Sequence, residues 1–338
     1  MSAMDRIEIV PYTAGDSPDA IALEATLDQG EAIALRFRRP TFHARSSVYE
    51  NSVILCARSG GRLVGTAAGA LKHVVLNGEV RRAVYGYDLR VDPAFRRGGT
   101  AQRLGNAVIE FLGGGDCRYS LVAGQNRLAV CFTQRAFGAA CTIPLVYVIM
   151  PVTRNRRRRP ACTDPGPEAI HREFLQHAGT LDMLPPFRAE LLAGHVASVR
   201  LEAGSAGCSI WTNEALLAEE VVRLPRHLQL LGLVARPFAN AHLLPRIPRK
   251  GEMVRSWFLY DLFARGVRDM REVLAEVNAR ALESGKDFVY VLMQEGDPAI
   301  RAIREAGYRY LTLPYVFVAG GTNVPAPGSR IYLDVRDV

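Results

Sequence analysis

Two stretches of this chain resemble each other, and the landmarks within them are similarly spaced. Tyr87-Asp88-Leu89 recurs as Tyr260-Asp261-Leu262, and Thr142-Ile143-Pro144-Leu145-Val146-Tyr147-Val148 recurs as Thr312-Leu313-Pro314-Tyr315-Val316-Phe317-Val318. The separations nearly agree, 142 − 88 = 54 in the first half and 312 − 261 = 51 in the second. An internal repeat of this length predicts two copies of one domain, and 338 residues are enough to hold them. The segment from Arg154 to Pro167 is charged and then rich in proline, and reads as the linker. The domains are therefore predicted at 1–153 and 168–338, joined by 154–167.

Local patterns fill in the elements. A strand is predicted at 6–11, a mostly helical stretch at 14–39 starting near Asp16-Ser17-Pro18, and a hairpin at 50–73 turning at Ser59-Gly60-Gly61. Strands follow at 83–91, 119–122 and 142–150, with a helix at 126–137 closed by Gly138. In the second half, helices are predicted at 270–282 and 298–306, a strand at 288–293 and a closing strand at 330–335. The long excursion Trp211 to Glu252 is expected to cover the groove between the domains and shape an acceptor pocket.

Tyr85 to Leu112 carries the chemistry. Tyr85, Tyr87, Leu89 and Val91 alternate as in a pleated strand. Asp92-Pro93 ends it, since proline has no N–H for a ladder. The turn Phe95-Arg96-Arg97-Gly98-Gly99-Thr100 follows, then a helix with Ala101, Leu104, Val108 and Leu112 on one stripe. A glycine-containing turn at a helix N-terminus is an anion site, because the first N–H groups lack intrahelical partners and the dipole adds positive charge. Arg96 and Arg97 supply planar donors suited to phosphate. The sequence matches neither the P-loop nor the dinucleotide fingerprint.

Val91, Pro93, Arg96, Gly99 and Ala101 spell V-x-P-x-x-R-x-x-G-x-A. This resembles the acyl-coenzyme A motif of the GNAT superfamily of N-acyltransferases, R/Q-x-x-G-x-G/A, and the order of elements over residues 6–152 is similar too. The resemblance implies an α+β fold: two tandem GNAT-like domains, each a mixed, mainly antiparallel sheet flanked by helices. The second copy has Phe263-Ala264-Arg265-Gly266-Val267-Arg268 in place of the motif and is degenerate. In that family the pantetheine arm pairs with the strand before the motif. This implies cofactor contacts from Leu89, Arg90 and Val91, a pyrophosphate cradle of Arg96, Arg97, Gly98, Gly99, Thr100 and Ala101, and Asn126 and Phe132 beside the pantetheine or thiol end.

The proton-transfer groups depart from the family pattern. Gln134 stands where many relatives have a tyrosine acid, and Tyr85 where some have a glutamate base. The nearest carboxylate is Asp88, so Asp88 and Tyr87 are the candidate catalytic residues. Asp261 occupies the same place in the half without the turn, which argues for a structural role shared by both.

Composition narrows the classes. With 49% hydrophobic and 22% charged residues, no membrane-length apolar run and no secretory pattern at the N-terminus, the chain reads as a cytoplasmic globular protein. Cys56, Cys117, Cys131, Cys141, Cys162 and Cys208 are scattered and are expected to be buried small hydrophobes. The seven histidines show no metal spacing, and no metal is expected. Five of the +8 net charges lie in the run Arg154 to Arg159, leaving 8 − 5 = +3, so nucleic-acid binding is disfavoured. The expected function is transfer of an acetyl group from acetyl-CoA to an amine of a small molecule or peptide, in a monomer or homodimer. The alternatives are a non-catalytic acyl-CoA sensor or scaffold, or an adaptor for acidic partners using the Arg run.

Overall fold

The structure is a computed structural model and describes residues 7–27, 30, 33–154, 159–240 and 243–337. The first half runs β1 (Ile7–Pro11), α1 (Ser17–Ala25), β2 (Ala34–Arg38), β3 (Ser52–Ser59), β4 (Arg62–Leu76), β5 (Glu79–Val91), α2 (Thr100–Phe111), β6 (Cys117–Ala123), α3 (Arg127–Phe137) and β7 (Ala139–Pro151). The second runs β8 (Cys162–Thr163), α4 (Pro167–Ala178), β9 (His195–Leu201), β10 (Ala206–Trp211), β11 (Ala218–Arg223), α5 (Arg226–Asn240), β12 (Met253–Val254), β13 (Ser256–Ala264), α6 (Val267–Glu283), β14 (Phe288–Gln294), α7 (Pro298–Glu305) and β15 (Leu311–Gly321). Two expectations are corrected. The helix expected over 14–39 stops at Ala25, and Leu35 and Phe37 alternate with arginines in β2. The closing strand expected at 330–335 is an irregular segment with one bridge, Ile331 to Asp182, ending in a 3-10 turn at Val335–Asp337.

Twelve strands form one sheet in the order β1-β3-β4-β5-β6-β15-β7-β14-β13-β10-β9-β8. The order is a palindrome of the repeat: each strand of the first half has its counterpart at the mirrored position. The final strands are exchanged. β15 pairs with β6 over Tyr315–Gly321, and β7 pairs with β14 over Leu145–Pro151. β7 and β15 also pair antiparallel with each other, and Leu145 lies opposite Tyr315, its own counterpart in the repeat. A pseudo-twofold axis therefore passes through that residue pair. In sequence the first repeat's strands end with β7 and the second's begin with β8, while in space each half's sheet is completed by the other half's last strand.

α2 packs on the sheet through Leu104 and Val108, against Val53, Leu55, Val64 and Val91. Its approach is close: a Cβ at Gly69 of β4 would lie 2.4 Å from a Val108 methyl. The opposite face carries Tyr85, Tyr87, Tyr119 and Phe317 under Phe42, Tyr49, Met183 and Ile331. In the second half α6 and α7 cover Trp257, Leu259, Val289 and Val291. The excursion supplies β11, which pairs with β2 and β12 in a separate three-stranded sheet. Among the described residues, no helix is long and apolar enough to cross a membrane.

Candidate active site

The two central strands of the first half part company. β5 and β6 run parallel but pair only over Ala83–Tyr85 and Cys117–Tyr119. Beyond Tyr85 the edge of β5 faces a cleft, and Leu89, Arg90 and Val91 lie along it. β5 reaches this point through a bulge: its register against β4 shifts between Thr66 and Ala68, and Asp88 takes the left-handed region at φ 49°. At the end of β5, the Asp92 carboxylate accepts from the Ala94 N–H at 2.9 Å and starts a 3-10 turn over Pro93–Gly98. Arg96 Nε donates to the Val91 carbonyl at 3.2 Å, and the Thr100 hydroxyl to the Phe95 carbonyl at 3.0 Å. Gly99 is the N-cap of α2, with φ 73°.

This turn fits an anion. A Cβ at Gly99 would meet nothing within 4 Å, so there is room in front of the helix N-terminus. Arg96, Arg97, Gly98 and Gly99 are exposed around that space, while Thr100 is buried and fixes the turn. On the far wall, Asn126 caps α3 by accepting from the Ala129 N–H at 3.0 Å, and Phe132 is partly buried on the same helix. Cys131, expected to be buried, is exposed: it lies on the outer side of α3. Cys141 and Cys162 are only partly buried, and Cys56, Cys117 and Cys208 are buried.

Asp88 is held by cations. Arg39 Nη1 lies 2.7 Å and Arg45 Nη1 3.3 Å from its carboxylate, and Arg90 3.9 Å. Arg39 also binds Glu24. Burial raises the Asp88 carboxyl, but the guanidinium charges of Arg39, Arg45 and Arg90 outweigh it and hold the group well below the usual carboxylate range. A carboxylate held that low is a poor proton acceptor. Tyr87 donates to Ser46 Oγ at 2.8 Å and is pushed up by burial, so it keeps its proton. The bulge is duplicated at Asp261, φ 52°, as expected for a shared structural role.

Two carboxylates near this cleft were not singled out by the sequence. Asp337 sits beneath the last β5–β6 pair. Its backbone carbonyl accepts from the Tyr85 hydroxyl at 2.6 Å, and its carboxylate accepts from Tyr119 at 2.7 Å and from Lys72 at 3.0 Å. Lys72 also binds Asp334 at 2.6 Å, so the C-terminal segment is anchored in the first half.

Glu219 differs. It lies in β11 opposite Phe37, whose ring is 6.0 Å from the Arg90 guanidinium on β5. It is only partly buried by surface, and no hydrogen bond or ion pair from the described residues reaches its carboxylate. Burial raises Tyr147, Tyr290 and Tyr315, and the negative charge of Glu219 raises them further. Burial pushes Glu219 itself up to about 7. The segment Ala-Glu-Glu-Val-Val-Arg at 218–223 does not alternate, and only the pairing of β11 with β2 brings Glu219 here. Of the Arg run, Arg159 binds Glu283 at 2.8 Å and Glu276 at 3.1 Å, and Arg156, Arg157 and Arg158 lie outside the described residues.

Comparison with known proteins agrees with this geometry. Residues 23–139 match the model of the acetyltransferase (GNAT) family. A search of the curated proteins finds no match. Among solved structures, N-myristoyltransferase of Saccharomyces cerevisiae with bound myristoyl-CoA and inhibitors superposes with a TM-score of 0.63 at 9% identity, covering 99% of this chain and 88% of that one. A tandem GNAT protein from the clavulanic acid biosynthesis pathway gives 0.55 at 13% identity, covering 95% and 100%. A putative acetyltransferase from Pyrococcus horikoshii gives 0.53 at 12%, covering 96% of both chains. At these identities the likeness is one of fold. With the parted strands and the glycine-containing turn before α2, residues 23–139 match the acetyltransferase (GNAT) family within a chain that has the fold of tandem GNAT proteins.

Proposed function

We propose that this protein is an N-acyltransferase that takes an acetyl group from acetyl-CoA and delivers it to an amine. The observation that carries the reading is the cleft where β5 and β6 cease to pair, leading directly into the Arg96–Gly99 turn at the head of α2. Leu89, Arg90 and Val91 would align the pantetheine amides along the open edge of β5. Arg96, Arg97, Gly98, Gly99, Thr100 and Ala101 would hold the pyrophosphate, with Asn126 and Phe132 on the opposite wall. A backbone N–H of the β5 edge would face the thioester oxygen and stabilise the charge that develops there.

The acceptor enters on the face covered by β2 and β11. Glu219 takes the proton from the ammonium, a role suited to a carboxyl near 7. The free amine attacks the thioester carbon, the C–S bond breaks, and coenzyme A leaves as the thiol with the proton released from the new amide nitrogen. Asp88 is assigned to holding the bulge with Arg39 and Arg45 rather than to proton transfer. The test is release of free thiol from acetyl-CoA in the presence of a panel of small amines and peptides. Amine-dependent release is the expected result. Binding of acetyl-CoA without release from any amine would replace this reading with that of a sensor or scaffold.

A further inference from the structure

One long stretch of the chain has no acid. Between Glu220 and Glu252 stand Arg223, Arg226, Arg236, Arg246, Arg249 and Lys250, with no aspartate or glutamate among them. The same stretch contains α5, whose apolar residues include Leu228, Leu230, Leu231, Leu233 and Phe238. A helix on a globular protein ordinarily turns its apolar stripe to the core. α5 does so only along a narrow line. Leu228 and Ile247 pack against Val221 of β11 and Val254 of β12, and a Cβ at Gly232 would lie 3.5 Å from the Ile247 Cβ.

The broader apolar side faces out. At helical spacing Leu233, Leu230 and Leu231 spread over an arc of roughly 160°, opposite Leu228 and Gly232. Leu230 is 63% exposed, Leu231 54%, Leu233 57% and Phe238 52%. Leu243 and Leu244, just past the helix, are exposed as well. A contiguous patch of this kind marks an interaction surface. Cations stand around it. Arg246 is held by Glu252 at 2.9 Å and Asp287 at 3.4 Å. The side chains of Arg226, Arg236 and Lys250 are exposed and meet no carboxylate among the described residues.

Charge decides between the occupants. A second copy of this chain, meeting α5 with its own α5, would set cations against cations with no acid in the segment to pair them. An anionic bilayer complements both features: leucine and phenylalanine enter the boundary of the acyl chains while arginine and lysine stay level with the phosphates. We infer that α5, with Leu243 and Leu244, seats this protein on the surface of an anionic membrane, the helix lying in the plane of the headgroups. The contact is peripheral. At 1.5 Å per residue a helix of 15 residues is about 23 Å long, too short to cross the hydrocarbon. Leu228 and Ile247 tie the anchor to the three-stranded sheet, so the folded protein is held as one piece. This inference does not depend on the acyl-transfer reading.

The test is flotation of the full chain with vesicles of phosphatidylglycerol and phosphatidylcholine in equal parts, beside vesicles of phosphatidylcholine alone. Partitioning onto the anionic vesicles is expected, at least tenfold weaker on the neutral ones. Leu230→Ser/Leu231→Ser/Phe238→Ser, at exposed positions, should lower partitioning at least tenfold. Arg226→Glu/Arg236→Glu/Lys250→Glu should remove the preference for the anionic vesicles. Circular dichroism establishes that both variants are folded. Both native tryptophans, Trp211 and Trp257, are buried, so Leu231→Trp reports insertion by itself, and its emission should shift to the blue with anionic vesicles. Failure of the folded protein to float, equal partitioning onto the two vesicles, undiminished partitioning of the serine variant, or an unshifted emission would overturn the inference. So would light scattering that shows, without lipid, a dimer dissociated by the serine substitutions, since the patch would then belong to a second copy.

Discussion

Asp88 on β5 and Glu219 on β11 are carboxylates whose surroundings push them in opposite directions. The guanidiniums around Asp88 lower its pKa from 3.8 in the folded state. Its contribution to stability is therefore fully present above pH 3.8 and is lost as the pH falls below that value toward the folded pKa. Replacing Asp88 by Asn removes one charged partner from each of the buried Arg39 and the largely buried Arg45 and should cost about 3–5 kcal/mol. Denaturant midpoints measured at pH 7 and again near pH 2 check both parts: the gap between wild type and variant should be smaller at the second than at the first. For Glu219 the sign reverses. Its pKa rises from 4.5 to about 7, so its ionisation weakens the fold as pH rises through that range. Glu219→Gln should raise the melting temperature at pH 8 more than at pH 5. It should also lower kcat by about a hundredfold or more and remove the rise of rate with pH near 7, while leaving affinity for acetyl-CoA unchanged. A retained limb in the pH–rate profile would show that another group takes the proton. The sequence marked Asp88 because it sits in the motif strand. It could not mark Glu219, whose position depends on β11 crossing to pair with β2.

Elements whose signals are local were readable. The Ser59-Gly60-Gly61 turn identified the β3–β4 hairpin, alternation identified β5, proline and glycine located the turn before α2, and Asn126 and Gly138 bounded α3. Elements defined by distant partners were not. β2 is a short run of alternating arginines whose pairing partner is in the second half, and 330–337 is held by side chains rather than by a ladder. Lys72, Tyr49, Tyr85 and Tyr119 all bond to Asp337, and Lys72 to Asp334 as well. The exchanged strands carry the largest consequence. β15 lies between β6 and β7, so a chain ending at Gly307 loses the strand that covers both. Such a truncation should abolish binding of acetyl-CoA, although every proposed cofactor contact lies before residue 133. Circular dichroism and calorimetry of the truncated chain would decide this, and retained binding would mean that the first half folds without β15.

At the scale of the molecule, the repeat was visible in two short peptides, but the way the copies join was not. Sequence similarity aligns Thr142–Val148 with Thr312–Val318; only the structure shows those two segments paired about a pseudo-twofold axis through Leu145 and Tyr315. One continuous sheet makes the halves mutually dependent. Residues 1–153 and 159–338 made as separate chains in one cell should copurify, and each made alone should aggregate, because each would expose an unpaired strand edge. Independent, soluble halves would contradict the exchange. The symmetry also separates chemistry between the copies. One cleft leads into the Arg96–Gly99 turn, and the other has Arg265-Gly266 in its place and keeps a cavity.

The most direct measurement is calorimetric titration of the full chain with acetyl-CoA beside Gly99→Glu. The substitution places a carboxylate at the head of α2, at a residue with φ 73° and open space before it. Micromolar binding to the wild type, lost in the folded variant, is the predicted result. Failure of the folded wild type to bind, or equal binding by the variant, would contradict the assignment of the β5–β6 cleft as the acyl-CoA site.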